Sequence, residues 1–495
     1  MIRPQNFRPP TSNPSSYFSR QATLVGQQPD IFAEQLVFWT IALVPLWWIL
    51  GVQLIIYPVV GWYLFYRSLE RPNQVSVPFG WQMWCVYIGV WILSLLVNLA
   101  IGTAEVGRSI TAFGSITGIW MLTVATWYAM RRLSIRHRVI VRAICVVGLC
   151  QLLAVILGEV YLKATGTIPQ THSLLVTLIP SIPSRIFFDA ALYGRETLVW
   201  DADPIPRLKS FYYWSPLAGT MSIFICAAAM AERHRFWQVV ALLGGIVTAW
   251  FAAARAAQVA IVVAIVVALW FGDKWGRKLI IACAIPVGLL SPIIISELYK
   301  YFFEYRKDSA AGRLALYEET YKAFLNSPLI GFGAQGRSNV LADIPLGSHS
   351  QLYSTLYQTG IIGCAVLAIA WMAIALALWQ LVRKQPALSP ILGAWVGLTL
   401  VMPGGELAAA SVTVFTIAAW LGCAWNQVEQ ATIKRNLPWL LNTPLPELPT
   451  PWEIWQRWFY GSHTYSKEPR QTLQKIDRHE KKNPVRKLRW GSRDR

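Results

Sequence analysis

Long apolar runs separated by short basic turns make up most of this 495-residue chain. A helix that crosses a bilayer needs about 20 mainly apolar residues, and runs of that length recur between residues 32 and 425. The pattern predicts an all-α membrane protein with about twelve transmembrane helices. The spans are expected as two short helices over 32–66 hinged near Gly51, then at about 80–101, 109–130, 141–162, 215–231, two within 236–271, 279–297, 358–381, 388–403 and 407–425.

The basic turns set the predicted orientation, because Lys and Arg collect in cytoplasmic loops. In a twelve-span bundle the turns on one side are 67–71, 131–138, 232–235, 274–278 and 383–384. Both termini are then cytoplasmic in a multi-pass protein of the inner (plasma) membrane. Residues 1–31 are expected to be a disordered lead-in, 32–425 the membrane domain and 426–495 a basic tail. The loops at about 163–214 and 297–349 are periplasmic; if either split run is one helix, the sides after it swap.

Composition supports a membrane protein and argues against a nucleic-acid partner. The chain is 55% hydrophobic and only 14% charged, whereas soluble domains carry about 25% charged residues. The formal charge of +19 sits largely in short loops and the tail, as expected for cytoplasmic turns. Tryptophans near the ends of apolar runs are expected at headgroup level. Examples are Trp81, Trp84, Trp250, Trp270 and Trp275.

Two histidines, His172 and His349, fall on the predicted outer side. His172 lies in a Gln-Thr-His-Ser segment with no other convergent chemistry around it in the sequence. His349 follows a glycine-containing segment and directly precedes a predicted helix. An imidazole at that place can take a proton from a hydroxyl. A solvated loop histidine is the alternative interpretation of His349.

Arg255 is the second anomaly, because it interrupts the apolar sequence between two predicted helices. An ionisable group near membrane depth costs several kcal/mol. The alternative is an arginine that snorkels at a hairpin tip. The small residues around Arg255 let helices approach closely, which favours a buried and paired arginine.

Further cations on the outer side suggest an anionic ligand. Arg313 begins a predicted amphipathic helix over about 310–326, with Leu314, Tyr317, Tyr321 and Phe324/Leu325 as its apolar stripe. Arg207 and Lys209 precede the sixth span. Arginine holds phosphate oxygens bidentately, so a diphosphate is a suitable ligand, with solvated loop charges as the alternative for Arg207 and Lys209. No pair among the outward carboxylates Asp308, Glu318 and Glu319 has the spacing of a DxD clamp, and the sequence has no EF-hand, HExxH or P-loop motif, which favours chemistry without a metal or cofactor.

At His349 the sequence resembles the signature of the O-antigen ligase family. His349-Ser350 is followed by nine residues, Gly360, two residues and Gly363, and every position fits the signature. Upstream, Gly312-Arg313 and the run Pro328-Leu-Ile-Gly331-Phe-Gly333 resemble the family's sequence in its large periplasmic loop. Arg255 among small residues is similar to the family's Ser-Arg at a helix tip, and Arg207 resembles its other arginine more loosely. The specific part of the resemblance covers about 255–363.

The resemblance implies a GT-C-type membrane glycosyltransferase. Such an enzyme moves a glycan from a polyprenyl (undecaprenyl) diphosphate carrier to an acceptor hydroxyl, such as that of lipid A-core, on the periplasmic side without a metal. His349 would be the general base that deprotonates the acceptor. Arg255 and Arg313 would bind the diphosphate, with Arg207 a weaker candidate. Membrane lipids are the remaining expected partners.

Departures from the family pattern leave alternatives open. Arg255 follows Ala254 instead of Ser, and the glycine segment reads Gly333-Ala-Gln-Gly336 without the common Gly-Pro. An O-antigen or exopolysaccharide polymerase would use a second carrier-linked glycan as acceptor. A membrane transporter, such as a bicarbonate-uptake-associated protein, is the alternative from another class. Transporters often show internal repeats and helices broken near the membrane midplane. No internal repeat is evident in the sequence, and the candidate residues are predicted to lie on the outer side and not at mid-membrane.

Overall fold

The computed structural model describes most of the predicted membrane domain and little beyond it. The described residues are 29–71, 75–169, 171–182, 184–194, 206–301, 307–339, 344–407 and 410–436, with side chains left out at 307–310 and 432–436. The predicted lead-in before residue 29 and the predicted basic tail after residue 436 lie outside these ranges.

Helices form nearly all of the regular structure. Those of the first half are α1 (Ile31–Ala42), α2 (Val44–Leu50), α3 (Gln53–Leu69), α4 (Phe79–Ala100), α5 (Val106–Ser115), α6 (Leu122–Arg132), α7 (His137–Thr165) and α8 (Leu174–Leu178). A π-helical turn, Ile116–Met121, joins α5 and α6 into one rod. Those of the second half are α9 (Ser215–Ala231), α10 (Arg235–Phe251), α11 (Arg255–Gly272), α12 (Lys274–Leu289), α13 (Ser291–Tyr299), α14 (Lys307–Phe324), α15 (Gln351–Lys384), α16 (Ser389–Val401) and α17 (Ser411–Asn436).

Two small antiparallel ladders lie in the predicted outer loops. The first pairs β1 (Tyr193–Gly194) with β2 (Arg207–Leu208). The second pairs β3 (Gly336–Arg337) with β4 (Pro345–Leu346), directly before His349. Each ladder has only two residues per strand, so helix packing supplies most of the fold's stability.

A helix lies at each of the twelve predicted spans, but fewer pass a test of length and hydropathy. Within the described ranges, five helices are long and apolar enough to cross a membrane: α4, the α5–α6 rod, α7, α11 and α15. The bent pairs α1–α2 (64°) and α12–α13 (76°) raise the number to seven if each pair is one span. Helices α9, α10 and α16 are apolar but shorter. A multi-pass helical membrane protein is therefore established, and twelve crossings stay a prediction.

The predicted hinge at Gly51 is confirmed, whereas the ninth span is not the single helix expected. Gly51 ends α2 with φ +75°, and a side chain there would overlap Ser173, so glycine suits the position. The predicted span at 279–297 bends by 76° between α12 and α13. Pro286 inside α12 and Pro292 at the start of α13 explain the bend, because proline lacks the amide hydrogen that a continuous helix needs.

Two tryptophans expected at the membrane surface belong to the core. Trp81 and Trp84 are 0% and 3% exposed. Trp81 stacks on Trp127 with ring centroids 4.6 Å apart, because α4 presents its indoles to the bundle instead of to lipid. Trp250 and Trp275 are mainly exposed, as the aromatic belt prediction requires.

Ion pairs gather several of the predicted cytoplasmic turns at one end of the bundle. Asp30 accepts from Arg67 at 2.9 Å and from Arg71 at 2.7 Å. Glu34 pairs with Arg136 at 2.6 Å. These contacts join residues at the start of the first predicted span to the turns after the second and fourth spans. They support the predicted grouping of turns, while the side of the membrane that this end faces stays a prediction.

Candidate active site

His349 lies in a strained backbone conformation directly before α15. Its φ is +64°, a value that is uncommon for residues other than glycine and clusters at functional sites. Ser350 caps α15 by accepting the Tyr353 amide at 3.4 Å. The Tyr317 hydroxyl donates to the His349 carbonyl at 3.0 Å, and the imidazole lies 5.0 Å from the Trp214 ring. The sharp turn therefore directs the imidazole away from α15, and Tyr317 of α14 holds the His349 backbone in place.

Glu406, in the turn between α16 and α17, is a neighbour of His349 that the sequence interpretation missed. Its carboxylate accepts the His349 backbone N–H. It also accepts from the Ser354 hydroxyl at 3.1 Å and the Gln335 amide at 3.3 Å. Burial raises the pKa of Glu406 to about 7, although these donors favour the charged form. A carboxyl group with that pKa can take up or release a proton near neutral pH.

Gln351, the first residue of α15, fixes the Glu406 turn. Its backbone N–H donates to the carbonyls of Met402 and Gly405, each at 2.9 Å. Its side-chain oxygen accepts the Leu407 amide at 3.0 Å. Bonds on both sides of Glu406 thus come from one residue that follows His349 by two positions. The turn and the start of α15 are therefore held as one unit.

Arg255 is the first residue of α11 and follows a second strained turn. Ala253 has φ +48°. Arg207 is 5% exposed and donates to the carbonyls of Ala252 at 3.0 Å and Ala253 at 3.3 Å. Arg255 itself donates to the Tyr301 carbonyl at 3.0 Å. Arg207 thus stabilises the turn that presents Arg255, a task the sequence alone does not indicate.

Helix α9 brings the Arg255 turn and His349 to the same end of the bundle. Trp214, which contacts the imidazole, is the residue before α9. Gly219, in the second turn of α9, packs so closely on Ala254 that a side chain at Gly219 would overlap it. At a rise of 1.5 Å per residue, the two contacts are separated by roughly 8 Å along the helix. The N-terminal end of α9 therefore contacts both His349 and the turn before Arg255.

Arg313 lies on α14, which packs against α15. Tyr317 stacks on Tyr353 with centroids 4.5 Å apart and planes 8° from parallel. Burial raises the pKa of the Tyr317 hydroxyl, the nearby Arg313 charge lowers it, and the Glu406 charge raises it. Because Tyr317 also binds the His349 carbonyl, these interactions place Arg313 near the His349 and Glu406 pair.

The predicted apolar stripe of α14 is divided between two environments. Leu316 and Phe324 are buried and face the protein, whereas Leu314, Tyr321 and Leu325 are exposed. The protein-facing stripe therefore differs from the one predicted. Exposed apolar residues on α14 are compatible with a helix that lies against lipid.

The motif glycines lie where the Pro328–Gly333 segment forms backbone hydrogen bonds with a break in α15, a junction that we call the splice. Gly360 has φ +65° and ψ −167° inside α15. In an unbroken helix the amides of Ile361 and Ile362 would bind the carbonyls of residues 357 and 358. Instead they donate to Pro328 and Leu329, at 2.9 and 3.3 Å, in the Pro328–Gly333 segment.

The Pro328–Gly333 segment also donates hydrogen bonds to the two helix carbonyls that lose their donors at the break. The Phe332 amide donates to Tyr357 at 2.9 Å, and the Gly333 amide donates to Gln358 at 2.8 Å. The two amides and the two carbonyls released at the break thus find partners, as buried peptide groups require. Side chains at Gly331 (φ +65°) and Gly360 would overlap the opposing backbone, which explains why both positions are glycine. Gly363 is also tight, because a side chain there would meet Thr359.

Polar residues of α4 bind the splice from the other side. Ser94 donates to the carbonyls of Ile330 and Gln358 at 2.5 and 2.9 Å. Asn98 donates to Gly331 at 2.9 Å, and the Trp91 indole donates to Gly333 at 2.8 Å. Polar groups buried in an apolar helix are costly unless paired. Their bonds to the splice account for Ser94 and Asn98 within a membrane-spanning helix.

The fold and this cluster define a multi-pass helical membrane protein with ionisable groups gathered at one end of its bundle. Residues 239–368 match the family model described as O-antigen ligase. The match contains Arg255, Arg313, His349 and the motif glycines, and it confirms the family resemblance. This part of the chain is thus similar to an O-antigen ligase domain. None of the curated proteins compared with the chain matches it significantly.

Proposed function

We propose that the protein transfers a glycan from a polyprenyl-diphosphate carrier to an acceptor hydroxyl such as that of lipid A-core, at the periplasmic face of the inner membrane. The observation that carries the proposal is the convergence of His349, Glu406 and Arg313 inside and beside the O-antigen ligase domain. In this reaction the acceptor oxygen attacks the anomeric carbon of the donor sugar. The bond from that carbon to the diphosphate breaks, and the diphosphate leaves with the electron pair.

His349 is the proposed general base, which takes the acceptor proton as the new bond forms. The strained backbone holds its imidazole beside Trp214. Glu406 fixes the His349 backbone by accepting its N–H. Arg255 and Arg313 are the proposed diphosphate ligands, since guanidinium pairs with phosphate oxygens and offsets charge on the leaving group. Arg207 acts in this scheme mainly by holding the Arg255 turn.

The base assignment is tested with His349→Asn, because asparagine tolerates a positive φ but does not act as a base. His234→Asn is the matched control, at the start of α10. Purified proteins in lipid nanodiscs receive a polyprenyl-diphosphate glycan and lipid A-core, and conjugates are quantified by mass spectrometry. We expect the conjugate to fall at least about 100-fold in His349→Asn and to be unchanged in the control. Wild-type turnover in His349→Asn would exclude the base role.

The same assay separates a ligase from a polymerase. A ligase forms the lipid A-core conjugate. A polymerase lengthens the carrier-linked glycan and forms no such conjugate, which would overturn the acceptor proposed here while keeping the glycosyltransferase class. Metal independence is also a proposal. It predicts that turnover survives dialysis against EDTA.

A further inference from the structure

A separate cleft with charged side chains in its lining lies between α7 and α9 in the chain. It has a volume of about 250 Å³. The side chains used in the following argument are Arg185, Asp189, Lys209 and Tyr213, all of which line it. Two cations and one carboxylate give this lining a net positive charge at neutral pH. The chemistry proposed for His349 does not use these residues.

The ionic groups of the cleft are organised around Asp189. Its carboxylate lies 3.0 Å from Nδ1 of His172 and 3.9 Å from Nε of Arg185. It also accepts the Ser173 amide at 3.3 Å. His172, which has no convergent chemistry around it in the sequence, therefore belongs to an ordered group. Asp189 orients the guanidinium of Arg185 at the edge of the cleft.

The backbone beside each cation is strained in the same manner as at His349. Ser184, directly before Arg185, has φ +56°, and Ser210, directly after Lys209, has φ +54°. The Lys209 side chain crosses Gly194 so closely that any side chain at Gly194 would overlap it. Strained residues concentrate at binding and catalytic sites. Each of the two cations is thus next to a residue with a strained backbone.

Two consecutive residues connect this cleft to the candidate active site. Tyr213 lines the cleft, and both burial and the nearby Glu406 charge raise the pKa of its hydroxyl. Trp214 follows and contacts the His349 ring at 5.0 Å. Phe187, outside the cleft, packs edge-on against Tyr213 with centroids 5.0 Å apart and so supports the ring that lines it. A sugar in the cleft would therefore lie next to His349 and Glu406.

We propose that this cleft is an acceptor subsite that binds an oxyanion, phosphate or carboxylate, carried on the acceptor sugar. Lys209 and Arg185 hold the anion by charge-assisted hydrogen bonds. The Tyr213 ring contacts the sugar ring, as is usual in ligand sites with few polar groups. The anchored sugar then presents a neighbouring hydroxyl to His349. This inference rests on the proposed function for the identity of the acceptor, but binding can be measured without turnover.

The test measures equilibrium binding of a lipid-free core oligosaccharide that carries phosphomonoesters, and of the same oligosaccharide after phosphatase treatment. The protein is the full chain in nanodiscs of zwitterionic lipid. Lys209→Gln removes the charge but keeps an extended side chain across Gly194. Lys163→Gln is the matched control, since Lys163 is an exposed lysine at the end of α7. We expect Lys209→Gln to weaken binding of the phosphorylated sugar about ten-fold or more, and the control to leave it unchanged.

Three outcomes would overturn the subsite. The first is equal wild-type affinity for the phosphorylated and dephosphorylated sugars, and the second is equal affinity of Lys209→Gln and wild type for the phosphorylated sugar. The third outcome comes from repeating the measurement with inorganic phosphate and with nanodiscs that contain phosphatidylglycerol. Loss of sugar binding only in the anionic lipid would assign the cleft to a headgroup instead. His349→Asn should bind the sugar as wild type does, so a failure of the proposed catalysis is distinguishable from a failure of the subsite.

Discussion

Glu406→Gln should change how stability depends on pH, and the direction follows from the environment of the carboxyl group. Burial raises the folded-state pKa from 4.5 to about 7. Between those values the folded protein keeps a proton that the unfolded chain has lost, so the unfolding free energy of the wild type falls as pH rises. At about 1.4 kcal/mol per pH unit, the loss amounts to about 3 kcal/mol by pH 7. Glutamine does not titrate, so the variant lacks this loss.

The assay is thermal unfolding between pH 5 and pH 8, followed by tryptophan fluorescence in detergent. About 2.5 kcal/mol of the loss falls between pH 5 and pH 8. With an unfolding entropy of about 2 cal/mol/K per residue over about 400 residues, this corresponds to a Tm difference of about 3 °C. The Tm of the variant relative to wild type should therefore rise by about that amount across the range. Glu318→Gln is the control, because Lys322 lowers the pKa of that exposed carboxyl group and it titrates below the range. A Tm difference that stays constant from pH 5 to pH 8 would refute the buried, proton-binding environment assigned to Glu406.

Three further predictions follow from the contacts. Gly360→Ala should lower the unfolding free energy by about 3 kcal/mol or more, because alanine is strained at positive φ and its side chain would overlap the backbone. Gly114→Ala should unfold as wild type does, because its added carbon meets open space. Size-exclusion chromatography and melting curves measure the difference. Arg207→Gln should lower the unfolding free energy by about 2–3 kcal/mol, because it leaves two carbonyls without their charged donor. Arg255→Gln should raise the KM for the glycan donor with little change in Tm. Equal Tm losses in the two variants would contradict a structural role for Arg207 and a ligand role for Arg255. Gln351→Ala should reduce turnover about ten-fold or more by releasing the Glu406 turn, a result contradicted by wild-type kinetics.

The helices were predictable because apolar periodicity and length are local properties. Helix α4 differs by one residue at each end from the span expected at 80–101, and α9 coincides with the one expected at 215–231. The side of a helix that meets protein is not a local property. Trp81 and Trp84 illustrate this, since their position near the end of an apolar run fits a lipid interface equally well. Only the packing of α4 against Trp127 and its neighbours decides for the core.

The candidate site was predictable where a residue type was unusual in its surroundings. Arg255 in an alanine-rich turn and His349 before a helix stand out in this way. Glu406 does not, because its partners Gln335 and Ser354 are 71 and 52 residues distant in sequence. One signal was present: Glu406 is the only acidic residue between 389 and 428, and the predicted topology puts its turn on the same side as His349. The assignment of Arg207 to the diphosphate stays a prediction, beside the backbone role that its contacts describe.

The break at Gly360 makes residues 351–359 a helical segment of fixed length. One end carries His349, and the other is spliced to Pro328–Gly333 and bound by α4. Each residue of a helix adds 1.5 Å and turns the chain by 100°. A single insertion in this segment would therefore turn His349 and Gln351 by more than a quarter turn relative to the Pro328–Gly333 segment and α4, while leaving every individual side chain intact. The nine-residue interval of the motif is thus a constraint on angle, and it can tolerate changes in composition far better than changes in length.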